Sequence, residues 1–250
     1  ADCDMVREGI ITLGESIDVC VPTGNFGNIF ACYLAKRMGL PVEKLICASN
    51  ENDVLTEFLN EGVYNRNRAF HTTMSPSMDI LISSNLERLL YIELGTEKTA
   101  KYMAELASAG RYELSEDDFA KIKVHFVGYS ASERDTARTI KTIYEKENCL
   151  IDTHTAVAVK VYNDYRASTG DMTPAVIAST ASPFKFSAAV LEAVDGKNDL
   201  DEFEMVEKLA AVTKKSCPEQ LANLRDKAVR FDGCCSKDSM EQVVFDMLGV

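Results

Sequence analysis

The segment Thr23–Asn28 places two glycines and two asparagines between a predicted strand and a predicted helix. Backbone N–H groups in such a turn point at whatever lies above the helix N-terminus, where the helix dipole favours negative charge. Gly24 and Gly27 let the backbone come close to a ligand, and the side-chain amides of Asn25 and Asn28 can donate to phosphate oxygens. The segment therefore predicts a phosphate or carboxylate site; the alternative is an ordinary tight turn with a helix cap.

This turn differs from the common nucleotide-binding loops. It lacks the third glycine of the G-x-G-x-x-G pattern, and it also lacks the lysine that precedes the helix in a Walker loop. A small cofactor with a single phosphate therefore suits the turn better than a dinucleotide or a nucleoside triphosphate.

The elements that must position the turn form a β-α-β unit. Residues 16–22 alternate and are rich in β-branched side chains, which predicts a strand. Apolar residues at helical spacing predict a helix over 29–38, and the apolar run 44–49 predicts a second buried strand. This order implies a parallel sheet with a right-handed crossover. Further strands are predicted at 124–128 and 175–180.

Most of the remaining chain is predicted to be helical, apart from a polar loop at 63–78 that is long enough to be functional. The predicted helices cover residues 53–60, 78–94, 98–109, a short acidic-capped helix opening at 114–118, 132–147, 154–166, 184–194, 201–213, 218–229 and 237–248. About four strands are few for an α/β protein of this size, so we expect other strands of the sheet to lie outside this chain. The first ten residues resemble the end of a helix, which points to an excised piece.

Composition excludes several classes of protein. The 250 residues are 46% hydrophobic and 26% charged, which is typical of globular proteins and excludes disordered and fibrous classes. The formal net charge of −12 argues against nucleic-acid binding, which needs a basic surface. No apolar run approaches the roughly 20 residues that a membrane-spanning helix requires, so we expect no membrane partner.

The cysteines and histidines do not predict a metal site. No two of the eight cysteines have C-x-x-C spacing, and the three histidines are scattered. The loop 195–199 is similar to a calcium loop, but Lys197 stands where an oxygen ligand is needed. We therefore expect no metal, reduced thiols and a cytoplasmic location.

Four motifs, in order, resemble threonine synthases. They are VPTGNFGNIFACYLAKRMGLPVEKLICASNENDVLTEFLNEGVY at 21–64, SPSMDILISSN at 75–85, DTHTAVA at 152–158 and STASPFKF at 179–186. The resemblance covers nearly all of residues 1–250. It implies the tryptophan-synthase-β-like fold type II of enzymes that use pyridoxal 5′-phosphate, an α/β fold with a three-layer, open, mostly parallel sheet. The sheet is expected to be incomplete here and followed by several additional C-terminal helices.

The resemblance also implies roles toward the cofactor. Pyridoxal 5′-phosphate is expected to have its phosphate held by the loop of Gly24, Asn25, Phe26, Gly27 and Asn28. Its pyridine nitrogen is expected to face the hydroxyl of Thr180. A neutral hydroxyl leaves that nitrogen largely unprotonated and moderates the electron sink; the alternative for Thr180 is a β-branched residue at a strand end.

The family's reaction converts O-phospho-L-homoserine and water to L-threonine and phosphate, which makes these enzymes carbon–oxygen lyases acting on phosphates. Ser77, Asp79, Asn85, Arg88 and His154 are the expected substrate-side residues, because a phosphorylated amino acid needs cationic and hydroxyl donors. The alternatives are a normal turn at Ser75-Pro76 and a solvated helix residue at Arg88. For His154 the alternative is a structural role, beside an N-cap role for Asp152.

The lysine that forms the Schiff base in this family lies in an upstream Phe-Lys-Asp motif, and no lysine precedes Thr23 here. Lys185 belongs to the later Pro-x-Lys-Phe motif and is not assigned that role. The chain is therefore expected to be the C-terminal half of a threonine synthase and inactive without the N-terminal half. We also expect the unpaired sheet edge to favour self-association.

Two alternatives remain. One is a non-catalytic phosphate-binding or interaction module derived from the same fold. The other is a different fold type II enzyme, such as a serine or threonine dehydratase or a cysteine synthase. The Asp-x-His-Thr-Ala and Ser-Met-Asp motifs favour threonine synthase over the second alternative.

Overall fold

The structure, a computed structural model, describes residues 1–250 and divides them into two compact units, Ala1–Ser216 and Cys217–Val250. The strands, all in the first unit, are β1 (Ile17–Pro22), β2 (Val42–Ser49), β3 (Val63–Asn65), β4 (Arg111–Glu113), β5 (Phe126–Ser130) and β6 (Ala175–Ile177). The helices of that unit are α1 (Asp2–Arg7), α2 (Gly27–Arg37), α3 (Val54–Glu61), α4 (Leu86–Leu94), α5 (Thr96–Ala109), α6 (Glu116–Lys123), α7 (Glu133–Glu147), α8 (Thr153–Thr169), α9 (Ser187–Asp195) and α10 (Glu202–Thr213).

Four strands form a parallel sheet in the order β5-β2-β1-β6. Every residue of β1 is buried, as expected for a central strand of a parallel sheet that is covered on both faces. Since all four strands run in one direction, the residues that follow β1, β2 and β6 emerge at the same edge of the sheet. The prediction of an α/β fold with a mostly parallel sheet is confirmed.

Alternate residues of the central strands serve two different cores. Val19 and Val21 of β1 belong to the larger core, whereas Cys20 belongs to a second core that includes Val157 and Val161 of α8. This separation follows from the two-residue period of a strand, which sends successive side chains to opposite faces. Helices thus cover both faces of the sheet, which makes three layers.

Several elements differ from the prediction; the strand predicted over 175–180 ends at Ile177, and the helix predicted over 184–194 begins only at Ser187. The helix predicted over 78–94 begins only at Leu86, because residues 76–78 form a 3-10 turn and the following residues bend. The sequence also gave no sign of the short antiparallel pair β3–β4, whose strands of three residues each are too short to show alternation.

The second unit contains α11 (Glu219–Ala222), a 3-10 turn and α12 (Met240–Leu248). Helix α11 is shorter than the predicted 218–229, and neither helix buries a residue. Across both units, no helix combines the length and the apolar character that crossing a membrane requires.

Candidate functional site

The loop between β1 and α2 forms a cup of backbone N–H groups. Phe26 adopts a left-handed conformation with φ of 63°, and α2 begins at the next residue with no side-chain cap. The backbone N–H groups of residues 24–28 donate no hydrogen bond to any group of the chain. Unsatisfied donors at a helix N-terminus are the arrangement that binds an anion.

Two carbonyl groups of the same loop, those of Gly24 and Asn25, accept hydrogen bonds from side chains outside the cup. Ser83 Oγ donates to the Gly24 carbonyl over 2.8 Å, and Asn85 Nδ2 donates to the Asn25 carbonyl over 2.8 Å. A Cβ atom at Gly24 would lie 2.5 Å from the Ser77 carbonyl oxygen, so only glycine lets the turn at 76–78 pack against the cup. Asn85 therefore braces the cup from outside.

A cavity of about 310 Å³ opens above the cup. It is lined by Pro22, Thr23, Gly24, Asn25, Phe26, Gly27, Asn28, Ser77, Met78, His154, Thr180, Ala181 and Lys185. The structure thus brings together all five predicted cup residues, Thr180 and two of the five predicted substrate-side residues. The sequence analysis gave no site role to four further lining residues, Pro22, Met78, Ala181 and Lys185.

His154 is fixed in one orientation by hydrogen bonds at both ring nitrogens. The backbone N–H of Ser77 donates to His154 Nε2 over 3.2 Å, so Nε2 is the acceptor and Nδ1 carries the proton. Nδ1 lies 3.1 Å from Oδ1 of the buried Asp152, which also caps α8. Burial raises the pKa of Asp152, but hydrogen bonds from His154 and Thr155 outweigh it and hold the pKa below its usual value. His154 therefore ties the loop at 75–78 to the start of α8.

Thr180 lies on the segment that extends β6 past the sheet edge. The N–H of Ala178 donates to the Cys20 carbonyl over 2.9 Å, which continues the pairing beyond Ile177. Ser179 Oγ lies within hydrogen-bonding distance of Thr155 Oγ1, at 3.1 Å. These bonds fix the segment, and Thr180 itself is exposed in the cavity with no side-chain hydrogen bond inside the chain.

Asp79 lies away from the cavity lining, in a polar network that the sequence analysis did not foresee. Its Oδ1 accepts from Asn50 Nδ2 over 2.7 Å, from Asn52 Nδ2 over 3.0 Å and from Thr73 Oγ1 over 2.7 Å, while its Oδ2 accepts from Thr73 N over 2.9 Å. Asn50 and Asn52 are buried just after β2, at the edge of the sheet where the cup lies. Their position after a strand is the signal that could have identified them.

Arg88 is exposed on α4 and does not line the cavity. Asn85 is also absent from the lining, because its side chain is used on the Asn25 carbonyl. Contact of these two residues with a substrate stays a prediction.

The site fits a phosphorylated cofactor. Free backbone donors at the start of α2 match phosphate oxygens, and a hydroxyl at Thr180 offers a partner for a ring nitrogen. No lining residue carries a carboxylate, so no negatively charged side chain lines the cavity.

Comparison with solved structures identifies the class of protein to which the fold belongs. The solved structures that this chain resembles have fold type II of enzymes that use pyridoxal phosphate, and the chain shares that fold. One of them, a threonine synthase from Brucella melitensis with bound PLP, is 35% identical at a TM-score of 0.76 over 91% of this chain and 45% of that one.

The sequence is also similar to threonine synthases and to threonine synthase-like proteins. Residues 155–244 match the family model "Threonine synthase, C-terminal". The chain is 39% identical to threonine synthase of Saccharomyces cerevisiae over 198 residues, 73% of this chain and 38% of that protein. It is 41% identical to human threonine synthase-like 1 over 196 residues, 76% of this chain and 26% of that protein. The predicted resemblance is confirmed: the chain is a relative of the threonine synthases and spans less than half the length of these relatives.

Proposed function

We propose that residues 1–250 form the cofactor-phosphate-binding part of a threonine synthase, which converts O-phospho-L-homoserine and water to L-threonine and phosphate. The observation that carries the proposal is the cup of residues 24–28, whose backbone N–H groups have no acceptor in the chain. The relatives named threonine synthase support the choice of reaction.

Pyridoxal 5′-phosphate, when bound, supplies an electrophilic aldehyde and an electron sink for carbanions. The residues of this chain bind and orient it. The cup holds the phosphate, and the hydroxyl of Thr180 offers the pyridine nitrogen a neutral partner rather than a carboxylate. Ser77 and His154 line the same cavity and are proposed to face the substrate.

The residues that carry the Schiff-base lysine are proposed to lie outside residues 1–250. The lysines of this chain follow the cup in sequence, and Lys185 is the one that lines the cavity. We therefore propose that the chain binds the cofactor through its phosphate and acts with an N-terminal portion of the same protein to turn over substrate.

A non-catalytic phosphate-binding module is the second candidate. The observation that favours it is that the whole anion cup is built from local elements of this chain, β1, its loop and α2. Such a cup could bind a phosphorylated ligand without any catalytic lysine.

Binding to the purified chain tests the cup. Isothermal titration with pyridoxal 5′-phosphate and with pyridoxal is expected to show binding that depends on the phosphate. The Gly24→Ala variant should lose it. Gly233→Ala should keep it, because an added Cβ there would meet nothing within 4 Å and Gly233 does not line the cavity. Equal affinity of the parent chain for both ligands would refute the cup.

A phosphate-release assay with O-phospho-L-homoserine separates the two candidates. The chain alone is expected to release no phosphate, and the longest polypeptide encoded in the same reading frame is expected to release phosphate and form threonine. Turnover by the chain alone would contradict the proposal that the Schiff-base lysine lies outside residues 1–250. A longer polypeptide that binds the cofactor but forms no threonine would favour the non-catalytic module.

A further inference from the structure

Lys185 is the single lysine or arginine among the residues that line the cavity, and no lining residue is acidic. This is unusual in a chain with 39 acidic and 27 basic residues. An ammonium group in a cavity free of carboxylates is a feature that binding of the cofactor phosphate by backbone N–H groups does not explain.

The backbone around Lys185 is held firmly. Ser182 Oγ accepts from the N–H of Phe184 over 3.3 Å, and the Ser182 carbonyl accepts from the N–H of Lys185 over 3.0 Å. Phe184 is buried, and the ring of Phe186 lies 4.7 Å from the ring of His154 between centroids. These anchors on both sides of Lys185 fix where its side chain leaves the backbone, at the wall of the cavity.

The ammonium of Lys185 has no carboxylate partner. Other lysines of the chain are paired, for example Lys98 with Asp118 and Lys208 with Asp195, but no acidic oxygen lies within 4.0 Å of Lys185 Nζ. Its nearest ring contact is Phe186, whose centroid is 5.5 Å from Nζ. The charge is therefore available to a ligand.

We propose that Lys185 is a specificity-determining residue that binds a phosphate monoester dianion in the cavity beside the cup. The proposal rests on the proposed function for the identity of the ester, which is either the cofactor or the phosphorylated amino acid. Backbone N–H groups carry only partial charges, so a dianion gains most from a full positive charge at the same site.

Titration calorimetry on the whole chain tests the proposal with the variants Lys185→Gln and Lys185→Arg. Two ligand pairs separate the sources: pyridoxal 5′-phosphate against pyridoxal, and O-phospho-L-homoserine against homoserine. Inorganic phosphate is the third probe, and its binding is detected through its ³¹P resonance. Lys197→Gln is the matched control, because Lys197 is exposed in the loop after α9 and does not line the cavity.

Lys185→Gln is expected to lower the affinity for the phosphorylated ligand of at least one pair about tenfold. This is the size of the effect of one charge-assisted contact at a solvent-accessible site. The unphosphorylated partner should bind as it does to the parent chain. Lys185→Arg should restore most of the affinity, and added salt should reduce the difference between parent and Gln variant.

Three outcomes would overturn the role of Lys185: unchanged affinity in Lys185→Gln, an equal loss for phosphorylated and unphosphorylated ligands, or no binding of any phosphate by the parent chain. Binding of inorganic phosphate that depends on Lys185, without binding of pyridoxal 5′-phosphate or O-phospho-L-homoserine, would support the role of Lys185 and contradict the proposed function instead.

Discussion

The backbone N–H of Ser77 donates a hydrogen bond to Nε2 of His154, with 3.2 Å between the two nitrogens. This bond joins two motifs that are 77 residues apart in the sequence. Because Ser77 also supplies the carbonyl that sits against Gly24, the bond connects α8 to the anion cup. The wall of the cavity thus depends on the orientation of one imidazole.

His154→Phe should lower the free energy of unfolding by about 1–3 kcal/mol, because it leaves the Ser77 N–H without its acceptor. The phenyl ring preserves the packing on Phe186. His154→Gln, which offers an acceptor oxygen, should lose less. Urea unfolding of the three proteins measures this, and equal stability of the Phe and Gln variants would show that the hydrogen bond contributes nothing.

Gly24→Ala should weaken binding of pyridoxal 5′-phosphate and destabilise the chain by about 1–3 kcal/mol, because the new methyl group meets the Ser77 carbonyl oxygen at 2.5 Å. Gly27→Ala is the matched control for stability. Its Cβ would find Asn85 Nδ2 at 3.5 Å, an ordinary contact, and the backbone of Gly27 is not left-handed. Thermal unfolding should therefore separate the two variants; similar melting temperatures would contradict the close packing at Gly24.

Asp79→Asn should destabilise the chain by about 2–3 kcal/mol, because one of its two oxygens becomes an amide nitrogen that cannot accept a hydrogen bond. The loss falls on Asn50, Asn52 or Thr73. Asp199→Asn, on an exposed loop, provides the control. If Asp79 instead contacts substrate directly, its variant would unfold like the control and lose only ligand affinity.

The sequence allowed the parallel sheet and the cup to be predicted because each is encoded locally. Strand alternation in β1, the glycine turn and the helix stop at Gly39 lie within one short segment. The roles of Asp79 and Asn85 could not be predicted in this way. Their partners are Thr73, Asn50 and the Asn25 carbonyl. An aspartate or asparagine that contacts a substrate would look the same in the sequence as one that contacts other protein groups.

The surroundings of Lys185 also could not be predicted from the sequence. The late motif showed that a lysine was present, but its type and spacing did not reveal whether a carboxylate neutralises it. Only the fold shows that the segment after β6 lines the cavity and that no acidic residue lines the cavity with it.

Asp18 of β1 makes folding stability depend on pH. The residue is 1% exposed; its Oδ1 accepts from the N–H of Lys44 over 2.9 Å, whereas its Oδ2 has no partner. Burial raises the pKa of Asp18 to about 6; repulsion from Asp171 and Glu43 adds to the effect, and the Lys44 hydrogen bond opposes it.

The direction of the pH effect follows from the raised pKa. The unfolded carboxyl titrates at about 4, so between about pH 4 and pH 6 the native chain holds a proton that the unfolded chain releases. The contribution of Asp18 to stability is therefore greatest below pH 4 and is lost as the pH rises through 6. Asp18→Asn removes this titration while keeping an oxygen for the Lys44 N–H. The stability of the variant relative to the parent should increase by about 1–3 kcal/mol from pH 4 to pH 7. Urea unfolding of both proteins across this range measures the difference, and parallel curves would show that Asp18 titrates at its ordinary pKa.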